Sequence, residues 1–314
     1  MLKNIAKTLY KLIPLKKYLF LIVKLIYKPS QNIYQHLVFK GPFKVFSGTN
    51  SFKIYNTATI IENQLFWKGI EGFEPQSLKL WARMSKNADT IFDLGANSGI
   101  YSLIAKSENP NSKVYAFECV DRVFNVLKKN IALNKYDVAC FKQAVSNKDG
   151  IGSFIDDYEP FTQSVIVNLG LEEVADGRGV AKTELHEVET ELITLDTFIE
   201  QNNIKSIDLM KIDVETHEPE VIEGFQKHLQ AFQPTLLVEI IRDAVASSLE
   251  EQLSDLDYIY FYINEPFGGV DEKVEGEAYQ KVNTLVGGAF GNYLICSPAT
   301  VSYTHLTLPT IYSV

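Results

Sequence analysis

The chain has 314 residues, enough for one large domain with an extension or for two small ones. Its 46% hydrophobic and 22% charged residues suffice to bury a sizeable core. A net charge of −9 argues against general binding to phosphate backbones and favours a neutral or sugar-like partner.

Residues 1–27 are basic and apolar, with lysines at Lys3, Lys7, Lys11, Lys16, Lys17 and Lys24. The longest apolar run, 18–23, falls far short of the roughly 20 residues that span a bilayer. No small-residue cleavage site follows, so a signal peptide is not expected. Two readings stand for residues 1–40: an amphipathic helix lying on a membrane surface, or a helix packed on the domain with solvated lysines. The expected location is the cytoplasm, peripheral to the inner membrane surface under the first reading. Residues 41–86 form a β/α lead-in. Short β-rich runs at 43–46 and 52–55 flank Gly48, Thr49 and Asn50 and predict a strand pair. Residues 67–86 carry Leu78, Trp81 and Met84 at helical spacing.

From residue 90 strands and helices alternate. Strands are expected at 90–94, 113–117, 138–145, 207–214 and 235–240, and helices at 100–106, 122–134 and 219–232. Such alternation implies a parallel sheet with right-handed crossovers. Two further strands, 258–263 and 292–297, are expected to close the sheet as an antiparallel pair. The acidic, irregular stretch 151–190 interrupts the rhythm and reads as a lid or substrate-recognition loop. Residues 301–314 resemble a translated sequencing adapter; they are set apart from the domain at 87–300, and His305 is given no role. The three cysteines, Cys119, Cys140 and Cys296, include no CxxC pair. They predict buried free thiols, with neither a zinc site nor a disulfide framework.

Three places carry chemistry. The first is the turn Asp93-Leu94-Gly95-Ala96-Asn97-Ser98-Gly99, between a strand and a helix, where the crevice of an open α/β sheet lies. Glycines there let backbone approach a ligand. The spacing is neither GxGxxG nor a P-loop. The second is Glu118, at the end of the next strand, where a carboxylate can accept from both hydroxyls of a ribose. The third is the run 211–219, KIDVETHEP. Period-two alternation would place Lys211, Asp213 and Glu215 on one side of a strand. Glu218 and Thr216 suit a helix cap, with Pro219 in the first turn. His217 titrates near neutrality and suits a base.

The pieces FDLGANSGIYSL, VYAFECVDRVFNVLKKNIALN, KQAVSN and DLMKIDVETHEPEVIEGF, followed by PTLLVEI, resemble the FkbM-type methyltransferases over about residues 60–240. The resemblance implies a class I methyltransferase fold, Rossmann-like and doubly wound, with a mostly parallel seven-stranded sheet. It implies S-adenosyl-L-methionine as cofactor and a hydroxyl of a sugar, glycan, glycolipid or secondary metabolite as acceptor. It assigns Asp93, Gly95, Ala96, Asn97 and Gly99 to the cofactor loop and Glu118 to the ribose. Cys119, where the family often has proline, and Ala144 flank the adenine side. Asp213 and Glu215 match the family's KIDVEG signature, and Thr216-His217 replaces its usual Gly-Ala pair.

Methyl transfer to oxygen is an in-line displacement, and a base within reach of the acceptor assists it. Asp213, Glu215 and His217 are the candidates. Three alternatives remain: a metal-dependent methyltransferase using those three as ligands, a nicotinamide oxidoreductase, and a non-catalytic relative. No resident metal is expected. Nothing in the sequence identifies the acceptor or the oligomeric state.

Overall fold

The computed structural model describes residues 16–156, 166–167, 186–266, 276–288 and 291–304. Helix α1 (Lys16–Ile26) and the single turn α2 (Gln31–Tyr34) lead into a hairpin, β1 (Gly41–Ser47) and β2 (Asn50–Asn56). The hairpin is antiparallel, from Gly41 opposite Asn56 to Ser47 opposite Asn50. Along β1 alternate residues are buried, among them Phe43 and Val45, as a half-covered strand requires.

One helix was expected over 67–86; the chain instead makes α3 (Ile60–Lys68), a 3-10 turn (Gly69–Gly72) and α4 (Pro75–Ser85). Gly69 (φ 69°) and Glu74 (φ 39°) both leave the right-handed region, and Pro75 offers no N–H to continue a helix. The corner so formed becomes part of the cavity wall described below.

Next come β3 (Thr90–Leu94), α5 (Ile100–Glu108), β4 (Lys113–Phe117), α6 (Asp121–Asn134) and β5 (Val138–Phe141). The strand expected over 138–145 stops at Phe141. Its remainder, β6 (Ala144–Val145), joins a separate four-stranded sheet with β7 (Gly150–Asp156), β8 (Ile166–Val167) and β9 (His186–Ile193). The loop expected over 151–190 is therefore β-structured at both ends, while 157–165 and 168–185 lie outside the described residues. Then follow α7 (Leu195–Gln201), β10 (Leu209–Ile212), α8 (Glu218–Glu223), α9 (Gln226–Phe232), β11 (Thr235–Glu239) and α10 (Asp243–Leu253). The chain closes with β12 (Ile259–Ile263), β13 (Tyr279–Val282), β14 (Asn292–Cys296) and α11 (Pro298–Thr304). The single helix expected over 219–232 is broken between α8 and α9, at Gly224 and Phe225.

The main sheet runs β13-β12-β14-β11-β10-β3-β4-β5. The five strands from β11 to β5 are mutually parallel, and β14 lies antiparallel to both β11 and β12, closing the sheet as expected. It has eight strands rather than seven, because β13 adds an antiparallel edge to β12. Helices cover both faces. Leu78, Trp81, Leu103 and Leu127 pack on one side, and Phe198, Ile222 and Leu249 on the other. The α/β, doubly wound architecture thus stands on the geometry itself. Chain order reverses between β3 and β10, which are neighbours in space. Ligand crevices open at such a reversal, beyond the strands' C-terminal ends.

Candidate functional site

The turn after β3 and the turn after β10 face each other across that reversal. Asp213 N donates to Leu94 O at 3.1 Å, locking the two together. Gly95 has φ 74°, and a Cβ there would stand 1.8 Å from the Asp213 carbonyl oxygen. The glycine is therefore demanded by contact between the two turns, whatever ligand lies beyond them. Ala96 N donates to Phe117 O at 2.8 Å and Asn97 N to Glu118 Oε2 at 3.0 Å, so the loop is also fastened to β4.

Glu118 is buried. Its other oxygen accepts from Val120 N at 2.8 Å, which fixes the carboxyl between the loop and the start of α6. Burial raises its pKa to about 7 against the help of these two N–H groups. Asp93 lies beneath the loop, not on the cavity wall. Its Oδ2 accepts from Ser102 N (3.0 Å) and Ser102 Oγ (2.6 Å), and burial raises its pKa to about 6. Gly99 likewise sits behind the wall. It starts α5 at φ 88°, with its absent Cβ replaced by Leu127. Both residues shape the loop from below.

A cavity of ≈ 620 Å³ opens at this crevice. One end is walled by Gly95, Ala96, Asn97, Glu118, Cys119 and Ala144. Its volume lies in the range of cofactor pockets. Burial pushes the Cys119 thiol far above its ordinary range, so it serves as an uncharged wall rather than a nucleophile. Asp213, Glu215 and His217 also line the cavity. The expected side-by-side alternation ends early, because β10 stops at Ile212 and the chain turns through Glu215 (φ 56°) and Thr216 (φ 77°). That turn is held from within: Glu218 Oε1 accepts from Val214 N at 3.1 Å and Thr216 N at 3.2 Å. Burial raises the Glu218 pKa to about 8. His217 is 4% exposed, with Nε2 3.0 Å from Ser146 Oγ and Nδ1 3.4 Å from Glu220. Burial lowers its pKa despite the Glu220 charge, so the ring is neutral at pH 7.

The other end of the cavity holds charges that the sequence reading did not assign. Lys211 Nζ, 1% exposed, stands 3.2 Å from Asp213 Oδ2. Burial opposes its charge, but Asp213, Glu74 and Glu239 outweigh burial and raise its pKa. The Glu239 pKa is raised well above its ordinary value, first by the Asp213 charge and then by burial. Glu74 accepts from Tyr101 OH, and burial raises it to about 6. Glu265 takes Gln76 N (3.0 Å) and Ser77 N (2.6 Å) at the start of α4. Asn292, opposite Glu239 in the β11/β14 register, has a buried Oδ1 without a hydrogen-bond partner. Glu239 carried a legible signal, a charge at the end of an apolar strand, like Asp213. Glu74 and Glu265 come from corners between elements, which no local pattern marks. Among the described residues no three His, Cys, Asp or Glu side chains converge as metal ligands.

The family model for the methyltransferase FkbM domain matches residues 93–260. The 31-O-demethyl-FK506 methyltransferase FkbM of Streptomyces tacrolimicus is 28% identical over 155 residues, 44% of this chain and 60% of that protein. The hexuronic acid methyltransferase AglP of Haloferax volcanii is 27% identical over 168 residues, 53% of this chain and 62% of that protein. The chain thus spans about three fifths of the length of the curated relatives it matches. Among solved structures, a SAM-dependent methyltransferase from Agrobacterium tumefaciens aligns at TM-score 0.43 and 11% identity, covering 83% of this chain and 72% of that one. The methyltransferase FkbM from Methylobacillus flagellatus KT aligns at TM-score 0.37 and 12% identity, covering 66% and 43%.

Proposed function

The chain belongs to the FkbM methyltransferase family, and we propose that it moves the methyl group of S-adenosylmethionine onto a hydroxyl of a sugar, glycan or secondary metabolite. The carrying observation is the two-ended cavity: a glycine turn with Glu118 at one end, and Asp213 with Lys211, Glu74 and Glu239 at the other. The first end fits an adenosine. Both Glu118 oxygens are fixed by backbone N–H groups yet retain lone pairs for a diol, and half-buried Ala144 leaves room beside them. When bound, the cofactor supplies an electrophilic methyl on a sulfonium.

The chain's own residues do the rest. The walls exclude water and hold the acceptor hydroxyl near Asp213. Asp213 accepts the hydroxyl proton. Lys211 pairs with Asp213 at 3.2 Å, and the Asp213 charge raises the pKa of Glu239 beside it. His217 orients the turn through Ser146. A nicotinamide oxidoreductase would need the glycine spacing that this loop lacks.

Calorimetric titration with S-adenosylmethionine and with NADH tests the reading. We expect binding of the first alone, weakened roughly tenfold or more by Glu118→Ala. Asp213→Asn should keep cofactor affinity within about twofold and lower turnover on an acceptor glycan with a free hydroxyl by roughly a hundredfold. Binding of NADH in place of S-adenosylmethionine would remove the assignment. Full turnover by Asp213→Asn would move the base elsewhere.

A further inference from the structure

Residues 1–61 contain ten lysines and no aspartate, glutamate or arginine. The whole chain carries −9, so the remainder carries −19. This basic segment includes helix α1, whose two faces differ in kind. The inner face is anchored. Phe20 is 4% exposed, its ring 5.6 Å from that of Trp67 and 6.4 Å from that of Phe39. Lys24 Nζ donates to Phe66 O and lies 5.4 Å from the centre of the Phe66 ring. The outer face is apolar and open: Tyr18 is 58% exposed, Ile22 58%, Leu25 85%, Ile26 81% and Tyr27 51%. Isolated exposed hydrophobics are ordinary, but a contiguous row on one helix marks a docking surface. The inner face already holds the helix in place, so the core does not need the outer one.

We propose that the outer face of α1 seats the protein on an anionic lipid bilayer. Charge selects this occupant. Lys16, Lys17 and Lys28 border the apolar row, and the sequence of 1–61 offers no acid to a basic partner. A second copy joined through the same face would set lysine against lysine. A bilayer bearing anionic headgroups takes the apolar row into its acyl boundary and the lysines among its phosphates. The helix has 11 residues and, like every helix among the described residues, is too short to cross. It lies in the interface. Gln31, on the cavity wall, follows Ile26 by five residues, and Ile60 on the same wall is 68% exposed. Seated this way, the cavity wall at Gln31 and Ile60 lies beside the lipid, within reach of an acceptor anchored there; this last step rests on the function proposed above.

The test is flotation of the full chain with vesicles of phosphatidylcholine, with and without roughly 30% phosphatidylglycerol. The protein should float with the anionic vesicles, less at high salt and less with the neutral ones. Leu25→Glu with Ile26→Glu changes two side chains that are 85% and 81% exposed, and should lower partitioning roughly tenfold or more. Ile151→Glu, 65% exposed on β7, should leave partitioning unchanged. Absence of wild-type flotation overturns the proposal, and so does equal flotation of the L25E/I26E variant. A wild-type dimer that L25E/I26E splits, without vesicle binding, assigns the face to a second copy and overturns it as well. S-adenosylmethionine affinity is read on the same samples. A chain that floats but binds no cofactor keeps the docking surface and removes the methyltransferase reading.

Discussion

Thr216 is the residue whose chemistry and conformation disagree most. It sits at φ 77°, where a β-branched side chain crowds its own backbone, and the resembling family usually has glycine there. Strain of this kind survives when surrounding bonds enforce it. Here Glu218 does so, accepting from Val214 N and Thr216 N. Thr216→Gly should therefore raise stability by about 1 kcal/mol in chemical denaturation, with the turn's geometry retained. A destabilised variant would show that the threonine side chain, rather than the turn, holds the site. At this scale the sequence was informative about kind and position: Gly95, Glu118, Asp213, Glu215 and His217 all stand at the crevice. It was less informative about cause. Gly95 reads as room for a ligand, whereas its missing Cβ makes room for the Asp213 carbonyl.

Among the elements, α6 and the β1/β2 hairpin are joined by side chains that periodicity does not reveal. Asn130 is fully buried; its Oδ1 accepts from Tyr55 N at 2.7 Å and its Nδ2 donates to Ser98 O at 2.8 Å. One amide thus ties the lead-in hairpin to the loop after β3. Asn134 adds a second tie through Lys53 N and O. Asn130→Ala should cost about 2 kcal/mol or more in denaturant unfolding, since two backbone groups lose their partner. It should also weaken S-adenosylmethionine binding by loosening Ser98. A variant with wild-type stability would mean that water replaces the amide. Strands β3 and β4 match their expected bounds, because buried parallel strands read as short apolar runs. Strand β9 was not read, since its residues alternate between exposed and half-exposed and give no core signal. Helix α10 was not read either, although Val245, Ala246, Leu249 and Leu253 are buried at helical spacing. The break at Gly224 is set by a neighbour in space, since a Cβ there would stand 2.1 Å from the Ser146 carbonyl oxygen, whereas Gly69 and Pro75 mark theirs locally.

Over the whole molecule, the site's carboxyls shape the response to pH. Glu74 and Asp93 (about 6), Glu118 (about 7) and Glu218 (about 8) are all raised by burial above ordinary values of 3.8 to 4.5. Each holds a proton in the folded chain at pH values where the unfolded chain has lost it. Their contribution to stability is complete below the ordinary values and fades as pH rises through 6 to 8. His217 acts oppositely. Its pKa is lowered from 6.5, so it costs stability as pH falls below that value. The ligand-free protein should be most stable on the acid side of neutrality. Its Tm by scanning calorimetry should fall by roughly several degrees between pH 6 and pH 8.5. A flat or rising Tm over that range would show these carboxyls to be ionised in the folded state.

The amino-acid order by itself determined the alternation of strands and helices, the antiparallel closure, and the acids that end β4 and β10. Hydrophobic period and strand-end charge are local properties, readable from a few neighbouring residues. Only the tertiary structure decided what those acids meet. The Glu74 corner, Glu239, Glu265 and Asn292 come from four separate stretches of chain, and sheet order brings them to one cavity. Burial and neighbouring charge raise the pKa values of Glu74, Glu239 and Glu265, and both exist only once the distances between the residues are fixed.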